Sequence, residues 1–147
     1  MKKGKLYVIS GPSGAGKSTV LNNALKGFDN FSYSVSVTTR QMRPGEIEGV
    51  SYFFISNERY KDMVENDELL EHAVYVSNGY GTPKKYVEEK LAAGINVILE
   101  IEVQGARQIK ETCPDAVFIF IIPPTVTELK KRLMVRGTEN ADTIESR

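Results

Sequence analysis

Four apolar residues run together from Leu6 to Ile9 and stop at Ser10-Gly11-Pro12, which predicts a strand buried on both faces. Beyond the glycines, Val20 and Ala24, and Leu21 and Leu25, pair at four-residue spacing, so a helix is predicted from about Ser18. The β-branched stretch Tyr33–Thr38 and the run Ser51–Ile55 predict two more strands, with a loop over 41–49 that holds Pro44, Gly45 and Gly49. Ser56 is placed to cap a helix carrying Tyr60, Met63 and Val64 on one face. Ala73–Val76 predicts a short strand, Asn78-Gly79-Tyr80-Gly81 a turn, and Thr82-Pro83 the start of a helix that carries Val87 and Leu91 and stops at Gly94. Ile95–Ile101 predicts a strand that ends in two acids, Glu100 and Glu102, and is followed by a helix over Val103–Thr112. Ala116–Ile122 is the strongest strand pattern in the chain. Pro123-Pro124 ends it, and Thr125-Val126-Thr127-Glu128 is a capping box for the next helix.

Strand and helix alternate at both ends, which predicts an α/β fold with a parallel sheet and helices on its faces. Residues 1–33 and 91–124 make this core. Residues 34–90, with shorter strands and polar turns, read as an insertion with its own small antiparallel sheet, and 125–147 as a flanking helix and lid. A length of 147 residues fits one domain. Lys and Arg total 19 and Asp and Glu total 19, so the basic excess that a sequence-independent nucleic-acid binder needs is absent. A small anionic ligand needs only a local cluster. The lone Cys113 and lone His72 exclude an internal disulfide and a multi-thiolate zinc site, and a reducing cytoplasm is expected. The longest apolar run, Ala116–Ile122, falls far short of the roughly 20 residues of a membrane helix, so no membrane partner is expected.

Gly11-Pro12-Ser13-Gly14-Ala15-Gly16-Lys17-Ser18, followed by Thr19, fits the phosphate-loop pattern of Gly, four residues, Gly, Lys, Ser. Glycines let backbone N–H groups curl around phosphate oxygens, and the following helix points its positive end at them. Lys17 would reach the outer phosphates, and the Ser18 hydroxyl would ligate Mg²⁺. A buried strand before the motif and an amphipathic helix after it supply the required context, so the expected ligand is a nucleoside triphosphate with a metal ion.

Arg40 and Arg43 stand three apart at the mouth of the 41–49 loop. Arginine forks match phosphate, although two loop arginines on their own are more often simply solvated. The surrounding residues carry more. Ser34 to Glu46 (SVSVTTRQMRPGE), Gly49-Val50-Ser51-Tyr52-Phe53-Phe54, Gly79-Tyr80-Gly81-Thr82-Pro83, Leu99-Glu100-Ile101-Glu102-Val103-Gln104-Gly105-Ala106 and the Arg132–Glu139 block resemble guanylate kinase, in family order and spacing, from about Leu6 to Arg147. The resemblance implies a three-layer α/β/α phosphate-loop NTPase fold with an inserted small α+β GMP-binding domain and a mobile lid. It implies ATP and GMP (or dGMP) as substrates, giving ADP and GDP.

It also implies roles. Arg40 and Arg43 match the pair that holds the GMP phosphate, with Tyr52 and Tyr80 donating hydroxyl bonds to it. Ser36, Glu71 and Thr82 match the guanine contacts, Glu102 an acidic position near the guanine, and Glu100 the acid on the metal side. Arg132, Arg136 and Arg147 match arginines around the lid and the transferring phosphate. A carboxylate accepts both N1–H and the 2-amino group of guanine and repels adenine N1, a basis for strong discrimination. Without the resemblance, Glu71 reads equally as a solvated acid, Tyr52 and Tyr80 as packing residues, and the Arg132/Arg136 stripe as a solvated helix face. Two positions depart from the family: Gly79, where tyrosine is common, and Glu102, where aspartate is usual.

Gly137-Thr138-Glu139-Asn140 breaks the last helix, and only Ile144 is apolar before Arg147, so a mobile lid is expected there. The resemblance further implies a fifth core strand with an adenine contact and a closing helix. The working enzyme, a monomer or homodimer, is therefore expected to be longer than this chain, because Val117–Ile122 would otherwise form an open apolar edge. Two other functions fit less well: a guanylate-kinase-like module that binds phosphorylated partners without catalysis, against which the intact Gly16-Lys17-Ser18 speaks, and a phosphate-loop kinase of another small substrate, against which Ser36, Glu71 and Thr82 speak.

Overall fold

Alternate residues of the first strand face opposite ways, and both faces are covered. Leu6 and Val8 pack with Val97 and Leu99 on one side, and Ile9 packs with Ile98 on the other. That double burial explains the unbroken apolar runs. The computed structural model describes residues 2–136, the side chain of Arg136 excepted. In chain order its elements are β1 (Leu6–Ser10), α1 (Lys17–Ala24), β2 (Phe31–Tyr33), β3 (Val37–Thr38), β4 (Phe53–Phe54), α2 (Asn57–Glu65), β5 (Leu69–Tyr75), β6 (Asn78–Pro83), α3 (Lys84–Ala92), β7 (Asn96–Glu100), α4 (Val103–Thr112), β8 (Val117–Phe120) and α5 (Val126–Arg136).

A parallel sheet of order β2-β7-β1-β8 forms the centre. Val87 and Leu91 of α3 and Ile109 of α4 close one face, and Leu21 of α1 closes the other, so the core has three layers. Each fully buried aliphatic side chain is worth about 1.5–3 kcal/mol relative to exposure. At the β8 edge, Phe120 is 59% exposed. No described helix is long and apolar enough to cross a membrane.

The second sheet has order β4-β3-β6-β5. It is mixed rather than antiparallel, because β3 pairs parallel with β4 while β6 runs antiparallel to both β3 and β5. The single strand expected over Tyr33–Thr38 is two strands in different sheets. Ser34 N–H still donates to Ile98 O of the core, but Ser36 O already accepts from Phe53 N–H. Hydropathy shows an extended chain and not a change of partner. The run Ser51–Ile55 contributes only Phe53–Phe54 to β4.

The largest correction lies at residues 69–83. The strand begins at Leu69, so Glu71 sits within β5, and the expected turn at 78–81 is part of β6. Gly79 is a close-packing glycine: a Cβ there would meet the Tyr60 ring at 2.6 Å, and Tyr60 is anchored by its hydroxyl on Ala73 O and Tyr80 O. Nor do Thr82 and Pro83 open α3 as expected. Pro83 is the N-cap residue without a side-chain bond, and Thr82 belongs to β6. Helix starts elsewhere follow the expected chemistry. Ser56 accepts from Arg59 N–H and Thr125 from Glu128 N–H, but the Glu128 carboxylate turns to Arg132, leaving only half of a capping box.

The hairpin between β5 and β6 turns on Val76 (φ 46°) and Ser77 (φ 64°). Two positive φ values suit a turn that favours Asn-Gly, and a β-branched residue there is strained. Val76→Asn with Ser77→Gly should raise the unfolding free energy by about 1–2 kcal/mol, read as a higher urea midpoint at unchanged slope. An unchanged or lower midpoint would show that the turn is not strained.

Candidate active site

The chain leaves β1 at Ser10 and enters α1 at Lys17 through a loop whose Gly14 and Gly16 have φ of 84° and 90°. At Gly11 a Cβ would lie 2.1 Å from Ile121 O, so only glycine lets the loop start beside the end of β8. Lys17 Nζ donates to Gly11 O (2.8 Å) and Pro12 O (3.2 Å), which holds the ammonium at the loop mouth. Parallel pairing places Ile9 opposite Glu100. The carboxyl end of β7 therefore lies beside the loop, and Ser18 Oγ donates to Glu100 Oε1 at 3.1 Å. Ligands of open α/β sheets bind at such strand ends. The Ser18 hydroxyl and Glu100 carboxylate are hard oxygen donors that fit Mg²⁺, an ion that takes few protein ligands and completes its shell with water and phosphate. Among the described residues no cluster of three acidic, His or Cys groups competes for that role.

From α5, Arg132 reaches the loop: Nη1 donates to Ala15 O (3.3 Å) while Nε is held by Glu128 (2.8 Å). Leu129 and Leu133 approach Gly14. A cleft of about 520 Å³ lies between Gly14–Gly16, with Thr19, and the Glu128/Lys131/Arg132 face of α5.

Across the strand ends stands the second sheet. Arg40 forms a two-point ion pair with Glu46 (Nη2–Oε1 2.7 Å, Nη1–Oε2 3.0 Å), and its guanidinium lies 5.4 Å from the Tyr52 ring centre and 5.9 Å from that of Phe54. Tyr52 in turn meets Tyr80 edge-on at 6.1 Å. The bond from Arg40 and that from the Arg43 backbone N–H hold the Glu46 carboxyl down to about 2, and Glu46 raises Arg40 above its ordinary value. Burial pushes the Tyr52 phenol up. A cleft of about 330 Å³ separates this wall from the core, lined by Ser34, Ser36, Tyr52 and Glu100 among others.

Glu71 is buried and accepts from Thr82 Oγ1 at 2.6 Å. Burial raises its carboxyl pKa, and the Thr82 bond opposes that rise. Its Oε2 lies 2.6 Å from where a Cβ on Gly105 would stand. Gly105 is thus the helical position that makes room for the carboxylate, while Gln108 one turn on clamps β5 to α4 through His72 N–H (3.0 Å) and His72 O (2.8 Å).

The expected residues thus gather in three groups: Lys17, Ser18, Glu100 and Arg132 at the loop, Arg40, Tyr52 and Tyr80 at the facing wall, and Glu71 with Thr82. Ser36 lines the cleft between the sheets. Arg43 contributes its backbone to the Glu46 contact. Glu102 is exposed at the N-terminus of α4 and makes no capping bond, so it is not joined to the Glu71–Thr82 pair. The side chain of Arg136 and all of Arg147 and the lid lie outside the described residues. Sequence reasoning missed Glu46, Gly105 and Gln108. A glycine inside a strong helical pattern was the one available signal, pointing to a close approach at Gly105.

Known proteins match this chain throughout. The family model described as guanylate kinase matches residues 3–147. A "Guanylate kinase" of Clostridioides difficile is 54% identical over 147 residues, covering 100% of this chain and 72% of its own length. One from Lactiplantibacillus plantarum is 53% identical, with 99% and 71% covered. The crystal structure of guanylate kinase from Anaplasma phagocytophilum superposes with a TM-score of 0.72 at 39% identity, over 89% of this chain and 66% of that one. With a match across nearly every residue and more than half of the positions shared with two such relatives, the chain belongs to the guanylate kinase family.

Proposed function

We propose that the chain transfers the γ-phosphoryl group of ATP to GMP, and to dGMP, giving ADP and GDP, with Mg²⁺ as the metal. The observation that carries the site assignment is the cleft between the sheets. One wall ends at Glu100, which is hydrogen-bonded to the phosphate-loop Ser18. The other carries Tyr52, stacked on Arg40. A donor seated on the loop and an acceptor seated at Arg40 would bring their phosphates together between them.

An oxygen of the GMP phosphate, already ionised at neutral pH, attacks the γ-phosphorus. The bond from that phosphorus to the β-phosphate oxygen breaks, and ADP leaves with its electrons. No strong general base is needed, and catalysis is positioning plus charge neutralisation. Lys17 would exchange its bonds to Gly11 O and Pro12 O for the outer phosphate oxygens, and Arg132 is held over the loop from α5. Mg²⁺, held by Ser18 and Glu100, would neutralise charge on the donor phosphates. Arg40, Arg43, Tyr52 and Tyr80 would hold the acceptor phosphate. Glu71, steadied by Thr82, would accept N1–H and the 2-amino group of guanine, with Ser36 at the same cleft. The core over 1–33 and 91–124 then carries the donor and the 34–90 insertion the acceptor.

Lys17→Ala should keep the fold and lower kcat at least a hundredfold, the loss of about 3 kcal/mol of transition-state stabilisation. A coupled ADP-release assay with ATP, Mg²⁺ and each nucleoside monophosphate reads it, and near-normal turnover would sink the mechanism.

Glu71→Gln separates stability from recognition. The raised carboxyl means that the folded state binds this proton more readily than the unfolded chain, so ionised Glu71 costs stability as pH climbs through and above the ordinary carboxylate range of about 4. Below that range the cost is absent. The amide keeps an acceptor for Thr82, so the variant should match or exceed the parent in urea melts at pH 7 and lose that advantage in acid. It should also narrow the preference for GMP over AMP, because an amide turns a donor toward one of guanine's donors. A variant less stable at pH 7, or one with intact selectivity, would contradict this.

A further inference from the structure

We infer that helix α4 sets the reach of Glu71, with Gly105 and Gln108 as the positioning residues through which the carboxylate reads its base. This rests on the GMP reading above. Among the described strands β5 pairs only with β6, so its other edge has no strand partner. Leu69 pairs with Pro83 and His72 with Gly81, which leaves Leu70 and Glu71 opposite Thr82 alone. That is a bulge, a device that re-aims a side chain beside a site. Leu69 packs with Val37, Tyr60 and Met63 under the second sheet, while Leu70 joins Val87, Leu99 and Ile109 in the main core. Glu71 thus leaves the chain where the two cores meet, on backbone that its own sheet holds irregularly.

Helix α4 supplies what the sheet does not. The Gln108 amide accepts from His72 N–H at 3.0 Å and donates to His72 O at 2.8 Å, the pair of bonds that a neighbouring strand would make along this edge. His72 is exposed, so water could satisfy both groups. What the clamp adds is position, at the residue next to Glu71. Three residues before Gln108, Gly105 faces the carboxylate, and a Cβ there would stand 2.6 Å from Glu71 Oε2 and 3.1 Å from its Cδ. Thr82 holds Oε1 from β6 and Gly105 admits Oε2 from α4, so the carboxylate is located from both sides. Gly105 lies inside α4 and is not among the glycines of positive φ. No backbone need calls for glycine there, and glycine weakens a helix relative to alanine. A clamp that served stability alone would need Gln108 but not a helix-weakening residue against a carboxylate.

Gly105→Ala and Gln108→Met test this by urea unfolding and by steady-state kinetics with ATP, Mg²⁺ and GMP, each variant also made in a Glu71→Ala background. Gly105→Ala should unfold at a urea midpoint no lower than the parent's, because alanine suits the helix and the displaced atoms end a flexible side chain. It should nonetheless raise the KM for GMP at least about tenfold and move the KM for ATP less than about twofold. Gln108→Met keeps the length and loses both bonds, and should also raise the KM for GMP severalfold, the loss again falling on KM rather than kcat. In the Glu71→Ala background there is no carboxylate to place, and neither change should move the KM for GMP more than about twofold. An unchanged KM for GMP in either variant overturns the inference, as does a loss that persists in full in the Glu71→Ala background or one that falls on kcat alone. If Gly105→Ala does not fold, Gln108→Met decides by the same readings. A parent that turns over no GMP overturns the proposed function itself, a result distinct from an active parent whose variants keep its KM.

Discussion

The parallel pairing of β1 with β7 is the interaction on which the remaining structure depends. It buries Val8, Ile9, Val97, Ile98 and Leu99 almost completely, and so builds the middle of both apolar layers at once. The same register sets Ile9 opposite Glu100, which fixes a carboxylate beside the phosphate loop although 82 residues separate Ser18 from Glu100. A slip of one residue would turn every side chain of the strand to the other face, so the hydrophobic core itself holds the Ser18–Glu100 geometry in register. Precision at the site is obtained from burial rather than from polar contacts, which are individually weak.

Like charges set the second constraint. Two phosphate-bearing substrates repel each other, so the proposed function calls for cationic groups already held in place on both walls. The chain solves this with protein acceptors that occupy part of each donor group. Lys17 rests on two carbonyls, Arg132 on Glu128 and Ala15 O, and Arg40 on Glu46 and Gln41 O. Arginines held this way lose little orientational freedom when an anion arrives, the preorganisation that electrostatic catalysis requires, whereas Lys17 would trade its carbonyls for phosphate oxygens.

Much of this was legible in sequence where one element decides the matter alone. The helix expected over about Val103–Thr112 is the observed α4, because its residues form it through local contacts. The phosphate loop was readable because its glycines, lysine and serine act through their own backbone. Legibility failed where the partner is remote. Nothing local distinguishes Tyr33 from Val37, yet they pair in different sheets. Gly79 looked like a turn residue because glycine often marks one, whereas the ring of Tyr60, nineteen positions earlier, is what excludes a side chain. The true turn falls on Val76 and Ser77, residues that local chemistry would not choose. Glu46 was visible only as one more charge, since a carboxylate's partner depends on how its loop closes.

Glu71 shows that a feature legible only through the family resemblance can also be costly. Without the resemblance a solvated acid is an equal reading of this residue, and the structure instead buries it against a helical glycine with Thr82 as its side-chain donor among the described residues. A carboxylate with four lone-pair sites and one protein hydrogen bond is under-satisfied, and burial of such a group destabilises a fold. Under the proposed function, its remaining acceptor capacity would meet the two donors on one edge of guanine, which adenine lacks. The unfavourable burial in the free protein would then become a binding term once those donors arrive, and a mismatched base would leave it uncompensated. On that reading discrimination and instability would be two consequences of one desolvated carboxylate, and a sequence that optimised stability alone would have placed glutamine or leucine there.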